Sequence, residues 1–283
     1  MHSQAWHRYA MTFVFVLLWS SGAIFSRLAL THAAPFTVLL LRFALAAIAL
    51  MFLAVLRRRL WPATGTRRYV ALTGLVLVGG YSSFYLLSLD HGITPGVLAT
   101  ILGAQPILTL FITERRFAIH RLLGLMLALV GLYLVALQPA AVVQYTSAGL
   151  AFSLATLACV TIGAAMQKRI DQAPIDVLPL QYVVSILLCA AWLPSQQWRL
   201  EINWEFAISV IWLGLVISVG AQLLLYRLIQ TTNLVRATSV FYFVPMGTAL
   251  LDYLVFGHSL TAAQLIGMGA IIGGLFVANA QRS

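Results

Sequence analysis

Ten apolar stretches, each near the length a helix needs to cross a bilayer, follow one another with short polar links between them. They run Tyr9–Leu30, Phe36–Leu56, Tyr69–Leu89, Gly96–Thr113 and Leu122–Leu137, then Ala148–Gln167, Ile175–Pro194, Phe206–Leu228, Leu234–Phe256 and Ala262–Ala280. About 20 residues at ~1.5 Å each span the hydrocarbon core. Inside lipid a spanning segment must satisfy its own backbone donors and acceptors, which selects helix. With 61% hydrophobic and only 8% charged residues, the sequence predicts an all-α polytopic membrane protein with no soluble domain.

A net charge of +10 would point to nucleic acid in a soluble protein, but the positions of the basic residues give it another meaning. Arg8 precedes the first stretch; Arg57, Arg58, Arg59, Arg67 and Arg68 follow the second; Arg115, Arg116 and Arg121 follow the fourth; Lys168 and Arg169 follow the sixth; Arg227 and Arg236 flank the link after the eighth; Arg282 closes the chain. These are 14 of the 17 basic residues, all on one side if the stretches alternate, leaving Arg27, Arg42 and Arg199 elsewhere. The positive-inside rule then puts both termini in the cytoplasm, with the lipid bilayer as the protein's solvent and no nucleic-acid partner. Arg8 with Ser20, Ser21, Gly22 and Ala23 has the look of a signal peptide, but the apolar pattern resumes at once, so the first span reads as an uncleaved anchor. Cys159 and Cys189 fall inside spans and read as packing residues.

The chain also contains itself twice. Pro35-x-x-Val38-Leu39-x-Leu41-Arg42-Phe43 returns 139 residues on as Pro174-x-x-Val177-Leu178-x-Leu180-Gln181-Tyr182, and Pro106 returns at the same offset as Pro245. Gly124 and Gly131 return as Gly267 and Gly274 at an offset of 143, so the first copy is four residues shorter between its last two spans. These glycines, with Gly269 and Gly273, read as faces for close helix packing in lipid. The copies are taken as residues 8–139 and 147–281, joined by the polar link Gln138–Thr146. Each copy has an odd number of spans, so the second is upside down. The expected fold is ten transmembrane helices as two inverted five-helix repeats around a central cavity, the plan of a secondary transporter with its substrate near the midplane.

Intramembrane charges mark function by default. Arg42 lies seven residues past Pro35, about 10 Å into its span, and Asp252 five residues before Gly257, about 7–8 Å in. Both fall in the outer half. Arg42 is expected to attract a carboxylate and Asp252 to bind a proton or an amine; a static Arg42–Asp252 pair is the competing reading. Neutral polar and aromatic residues interrupt other spans: Trp19-Ser20-Ser21-Gly22, Tyr81 and Tyr85, Gln105, Gln222 and Tyr226, and Tyr242. From these, Trp19, Ser20, Tyr81, Tyr85, Gln105, Gln222 and Tyr242 join Arg42 as candidate substrate-binding residues, with Asp252 as the candidate proton-coupling residue. Pro106 and Pro245 each free a backbone carbonyl that a cavity could use. No zinc-protease motif, phosphate-binding glycine loop, nucleophile elbow or carboxylate cluster is present, so no enzyme, cofactor or metal is expected and transport has to be secondary or facilitated.

In order along the chain, Trp19-x-x-Gly22, Leu41-Arg42-Phe43, the segment from Ala99 through Pro106, and Gly124 resemble the EamA family of the drug/metabolite transporter superfamily over essentially the whole sequence. The resemblance implies a basket of ten helices whose cavity is lined by spans 1, 3, 4, 6, 8 and 9, in a bacterial inner-membrane exporter of amino acids, related metabolites or drugs. The sequence departs from the family pattern at Gly257-His258, where Gly-Glu is usual; the first copy carries Glu114. The expectation is therefore a secondary exporter of small amphipathic molecules by alternating access, with protons as the candidate coupling ion. An importer or passive facilitator of the same substrates, and a non-transporting membrane sensor, are the alternatives.

Overall fold

The computed structural model describes residues 2–58, 61–114, 117–136, 146–256 and 261–279, with the side chains of residues 2–9 and 251–256 outside the description. The chain forms α1 (His2–His32), α2 (Pro35–Leu56), α3 (Arg67–Asp90), α4 (Pro95–Thr113), α5 (Ile119–Ala136), α6 (Ser147–Lys168), α7 (Pro174–Ser195), α8 (Trp204–Thr231), α9 (234–256) and α10 (Ala262–Asn279). Among the described residues nine of these are long and apolar enough to cross a bilayer, and the tenth, α9, is a shorter apolar helix over Leu234–Leu250. Local chemistry sets the boundaries. Pro35, Pro95 and Pro174 open their helices, where the missing N–H costs nothing. Thr94 caps the helix that Pro95 opens, and Thr146, Asn203 and Asn233 cap others, by accepting from the amides of Val97, Gly149, Phe206 and Val235. Most of the expected link Gln138–Thr146, the basic pair Arg115 and Arg116, and Gly257-His258 lie outside the described residues.

The ten helices pack as two inverted five-helix repeats. Seams between helices come in pairs that exchange when each helix is replaced by the one five places on: α1–α8 with α6–α3, α2–α8 with α7–α3, and α1–α9 with α6–α4. On the axis of this two-fold, equivalent residues meet each other. Phe43 and Tyr182, 139 residues apart, make an edge-on ring contact at 5.4 Å, and Phe36 stacks on Trp192 further along the same antiparallel α2–α7 seam. The α5–α10 seam shows the same symmetry through its glycines. A Cβ on Gly124 would lie 2.5 Å from Gly274 O and one on Gly274 2.5 Å from Gly124 O, and Gly131 and Gly267 stand in the same reciprocal relation at 2.5 Å. The two helices therefore run antiparallel with their backbones in contact, an approach only glycine permits. Gly269 and Gly273 have no neighbour within 4 Å, so these two do not belong to the packing face that their spacing suggested.

The connections obey the same rule. At one face Ala33 pairs with Leu200 in an antiparallel bridge. At the other, Gln172, the counterpart of Ala33, accepts from Ala63 N and donates to Thr66 Oγ1, both at 2.8 Å.

Irregular backbone is duplicated as well. α3 carries a π-helical stretch at Leu75–Gly80, and its counterpart α8 carries one at Trp212–Ala221 that contains the equivalent positions 214–219. α4 breaks between Leu102 and Gln105, and α9 tightens into a 3₁₀ turn at Val240–Tyr242, again about 139 residues on. Pro106 and Pro245 explain both breaks: neither has an N–H for the carbonyl four residues back, at Leu102 and Phe241. At the first break Ala104 N bonds Ile101 O at 3.1 Å, a three-residue turn that lets the chain bend.

The glycine seam yields a direct check. Gly131→Ala is expected to destabilise the protein by about 1–3 kcal/mol, because the added methyl meets backbone that cannot move aside. Gly269→Ala is expected to leave stability unchanged. Thermal unfolding of the purified protein in detergent measures both, and equal effects would contradict the seam described.

Candidate functional site

Side chains on or beside the irregular backbone of α3, α8 and α9 meet others from α1, α2 and α7 between the repeats. Arg42 sits on α2, one residue before the axial contact of Phe43. Its Nε donates to Ser218 Oγ at 2.7 Å. Ser218 lies in the π-helical stretch of α8, where the wider turn disturbs the regular hydrogen-bond ladder. The Ser218 carbonyl accepts from the Tyr182 hydroxyl at 2.6 Å. One residue on the bulge thus anchors a guanidinium from the first repeat and a phenol from the second.

Rings from α1, α3 and α9 complete the site. Tyr81 and Tyr85 stand one helical turn apart on α3, directly after its π stretch, with ring centroids 5.8 Å apart. The Trp19 indole of α1 lies near the Tyr81 hydroxyl. Trp19 also packs on Phe15 at 5.1 Å and, edge-on, on Phe241 at 5.4 Å, the residue whose carbonyl Pro245 frees. Tyr81, Tyr85 and Tyr182 all lie within electrostatic range of the Arg42 guanidinium. Arg42, Trp19, Tyr81 and Tyr85 are deep among the helices yet keep accessible surface, and they form one wall of the candidate site.

Electrostatics make Arg42 the centre of this wall. Beyond the bond to Ser218, no described residue accepts from its guanidinium, and no described carboxylate forms an ion pair with it. A guanidinium inside a bilayer without an anionic partner needs water or an anionic ligand. A planar fork of donors presented to a cavity suits a carboxylate, held by two parallel bonds. The surrounding rings suit an apolar or aromatic body attached to it. The expected Arg42–Asp252 pair depends on a side chain outside the described residues; α9 runs through position 252, and nothing further is described of Asp252.

The other candidates occupy seams around this centre. Ser20 is fully buried between α1 and α9, its hydroxyl donating to Val16 O and Val244 O at 2.6 and 2.9 Å. Gln105 occupies the equivalent α4–α6 seam and donates to Val160 O at 3.5 Å. Tyr242 reaches Leu125 O at 3.1 Å and packs in the α5–α9–α10 core. Gln222 is buried on α8, one helical turn before Tyr226. The structure therefore brings together Trp19, Arg42, Tyr81 and Tyr85, and adds Ser218, Tyr182 and Phe241. Of the added three, only Tyr182 carried a signal in the sequence, as the last residue of the repeated motif. Compared with the cavity helices that the resemblance implies, α2 and α7 enter the site as well.

Ionic contacts at the ends of the helices are peripheral to the site. Glu114 pairs with Arg121 and accepts from Asn233, and Lys168 Nζ donates to the carbonyls of Ile229, Gln230 and Thr232 at 2.7–3.0 Å. Arg199 approaches Asp90 at 3.7 Å, and His32 lies between Glu201 and Glu205 at 3.6 and 3.3 Å. Among the described residues no group of histidines, cysteines or carboxylates is arranged to hold a metal ion.

The family model for EamA-like transporters matches residues 8–137 and matches a second time at residues 146–280. No curated protein matches the sequence. Among solved structures, one crystal structure superposes with a TM-score of 0.76 over 96% of this chain and 97% of its own, at 18% identity, a likeness that concerns the fold alone.

Proposed function

The chain belongs to the EamA-like transporter family, and is thus a multi-pass membrane transporter of the drug/metabolite transporter superfamily; from that premise we propose that it exports small amphipathic carboxylates, such as amino acids or drugs, by alternating access. The observation that carries the substrate class is Arg42: a membrane-embedded guanidinium, anchored at Nε by Ser218 and otherwise without an acceptor among the described residues, facing rings from three other helices. Binding a carboxylate there satisfies the guanidinium, while Trp19, Tyr81 and Tyr85 take up the apolar part. The inverted repeats supply the means of transport. Two states related by exchange of the repeats open the space between them to opposite sides of the membrane in turn.

Export, rather than uptake, is supported by the habit of the family. The inner membrane, with both termini in the cytoplasm, is supported by the basic residues collected on alternate links. Asp252, in the membrane-spanning α9, is proposed as the residue through which a proton gradient drives export.

Two experiments in proteoliposomes test this reading. With a panel of radiolabelled aromatic and aliphatic amino acids, Arg42→Gln is expected to lower transport of accepted substrates at least about thirtyfold, the equivalent of ~2 kcal/mol for one lost partner of a buried charge pair. Arg42→Lys should recover only part of it, because the planar fork is lost. Wild-type rates in Arg42→Gln would remove Arg42 from the site. For coupling, Asp252→Asn is expected to transport without responding to an imposed pH gradient; a response equal to that of the wild type would exclude Asp252 as the coupling residue.

A further inference from the structure

The two-fold relation sends Arg42 to Gln181, and Gln181 is part of a second polar cluster that the Arg42 site does not use. Gln181 on α7 donates through Nε2 to Gln167 Oε1 on α6 at 3.0 Å. Its own Oε1 accepts from the Tyr226 hydroxyl on α8 at 2.7 Å. All three side chains are 0% exposed. Gly74 lets α3 close over them, since a Cβ there would lie 2.6 Å from the Gln181 backbone.

One group in the cluster is left over. Gln167 Nε2 is buried and has no hydrogen-bond partner among the described residues. As the two amides are oriented here the unmet group is a donor, and turning the Gln167 amide alone would set two NH₂ groups against each other. An orphaned donor costs free energy that a purely structural cluster has no reason to carry.

Place and exposure give the orphan a meaning. Gln167 stands one residue before the end of α6, and Gln181 stands seven residues into α7, about 10 Å from the face that carries Arg169. Arg42 stands at the same depth from the opposite face. The two places are equivalent by symmetry, yet Arg42 keeps accessible surface while the amide cluster has none.

We propose that Gln167, Gln181 and Tyr226 form a second substrate station in the half of the membrane opposite Arg42. It opens when the Arg42 side closes, and the Gln167 amide then donates to a carboxylate or carbonyl oxygen of the substrate. The station rests on the transporter reading above. It has no fixed charge, so it holds an anionic substrate less firmly than Arg42 does and passes it on without trapping it.

Accessibility of engineered cysteines tests this without knowledge of the substrate. In a background with Cys159→Ala and Cys189→Ala, single variants Gln167→Cys, Gln181→Cys, Tyr85→Cys and Arg169→Cys are placed in sealed vesicles of known orientation. Membrane-impermeant methanethiosulfonates, one an anionic sulfonate and one a quaternary ammonium, are applied from each side. Tyr226→Cys replaces either amide variant that fails to accumulate as folded protein. The expected result is labelling of the amide positions only from the face that carries Arg169, with similar rates for both reagents. Tyr85→Cys, beside an intact Arg42, should label only from the opposite face and faster with the anionic reagent. If Tyr85→Cys behaves so while the amide positions label from neither side, under conditions that label Arg169→Cys, the second station is wrong and the Arg42 reading stands. If the amide positions label as expected and Tyr85→Cys does not label, the station stands and the Arg42 cavity does not. No labelling at either place overturns both.

Discussion

Every backbone donor and acceptor within the hydrocarbon layer has to be satisfied by the protein itself, and this constraint organises the molecule. It turns each apolar stretch into a helix and confines irregular backbone to places that the bundle covers. Besides Pro179 within α7 and the 3₁₀ end of that helix at Leu193–Ser195, four interruptions break the regular ladder among the described residues: the π stretches of α3 and α8, and the breaks of α4 and α9. They fall in repeat-related pairs, and the residues that meet between the repeats are bonded to them or follow them directly. Ser218 lies within one π stretch, Tyr81 follows the other, and Phe241 sits at a break. Irregular backbone and the functional wall are one feature, made twice by duplication.

Symmetry builds the frame, and departures from symmetry give it a direction. Phe43 and Tyr182 meet on the axis, and the glycines of α5 and α10 interlock reciprocally. The adjacent positions differ: arginine at 42, glutamine at 181. In the proposed transport path, a cation in one half and a neutral amide cluster in the other would give the same substrate unequal affinities at its two ends. The Arg42 guanidinium lies over the Phe43 ring, 5.8 Å from its centroid, and this cation–π contact offsets part of the cost of keeping the charge in the membrane.

Much of this was legible in the sequence, for identifiable reasons. Helix number follows from hydropathy, inversion from an odd span count, and the breaks at Pro106 and Pro245 from the missing N–H. The Gly124, Gly131, Gly267 and Gly274 face was readable because a spacing of seven keeps one helical phase. Gly269 lies about 200° round the helix from Gly267, so counting small residues without phase misplaced it. The site was only partly readable. Trp19, Arg42, Tyr81 and Tyr85 stand out as polar or aromatic residues in apolar surroundings, but so do Ser20, Gln105 and Tyr242, whose side chains bond to backbone carbonyls of neighbouring helices. A buried hydroxyl or amide needs a partner wherever it is, and composition does not say whether that partner is another helix or a ligand. Ser218 gave no signal, because its role depends on a π turn and on the register of α8 against α2.

The central claim is that the repeats exchange conformations about the Arg42 site, and distances between α1 and its counterpart α6 test it most directly. Spin labels at the exposed positions Thr31 and Ser147 report one face, and labels at Ala10 and Arg169 report the other. The internal two-fold relates these two pairs to within two residues, so in an alternating-access carrier they must exchange values. Pulsed electron–electron resonance in lipid is predicted to show two populations for each pair, with the first pair long whenever the second is short and the balance shifted by substrate. Single fixed distances, or two faces that widen together, would contradict the account.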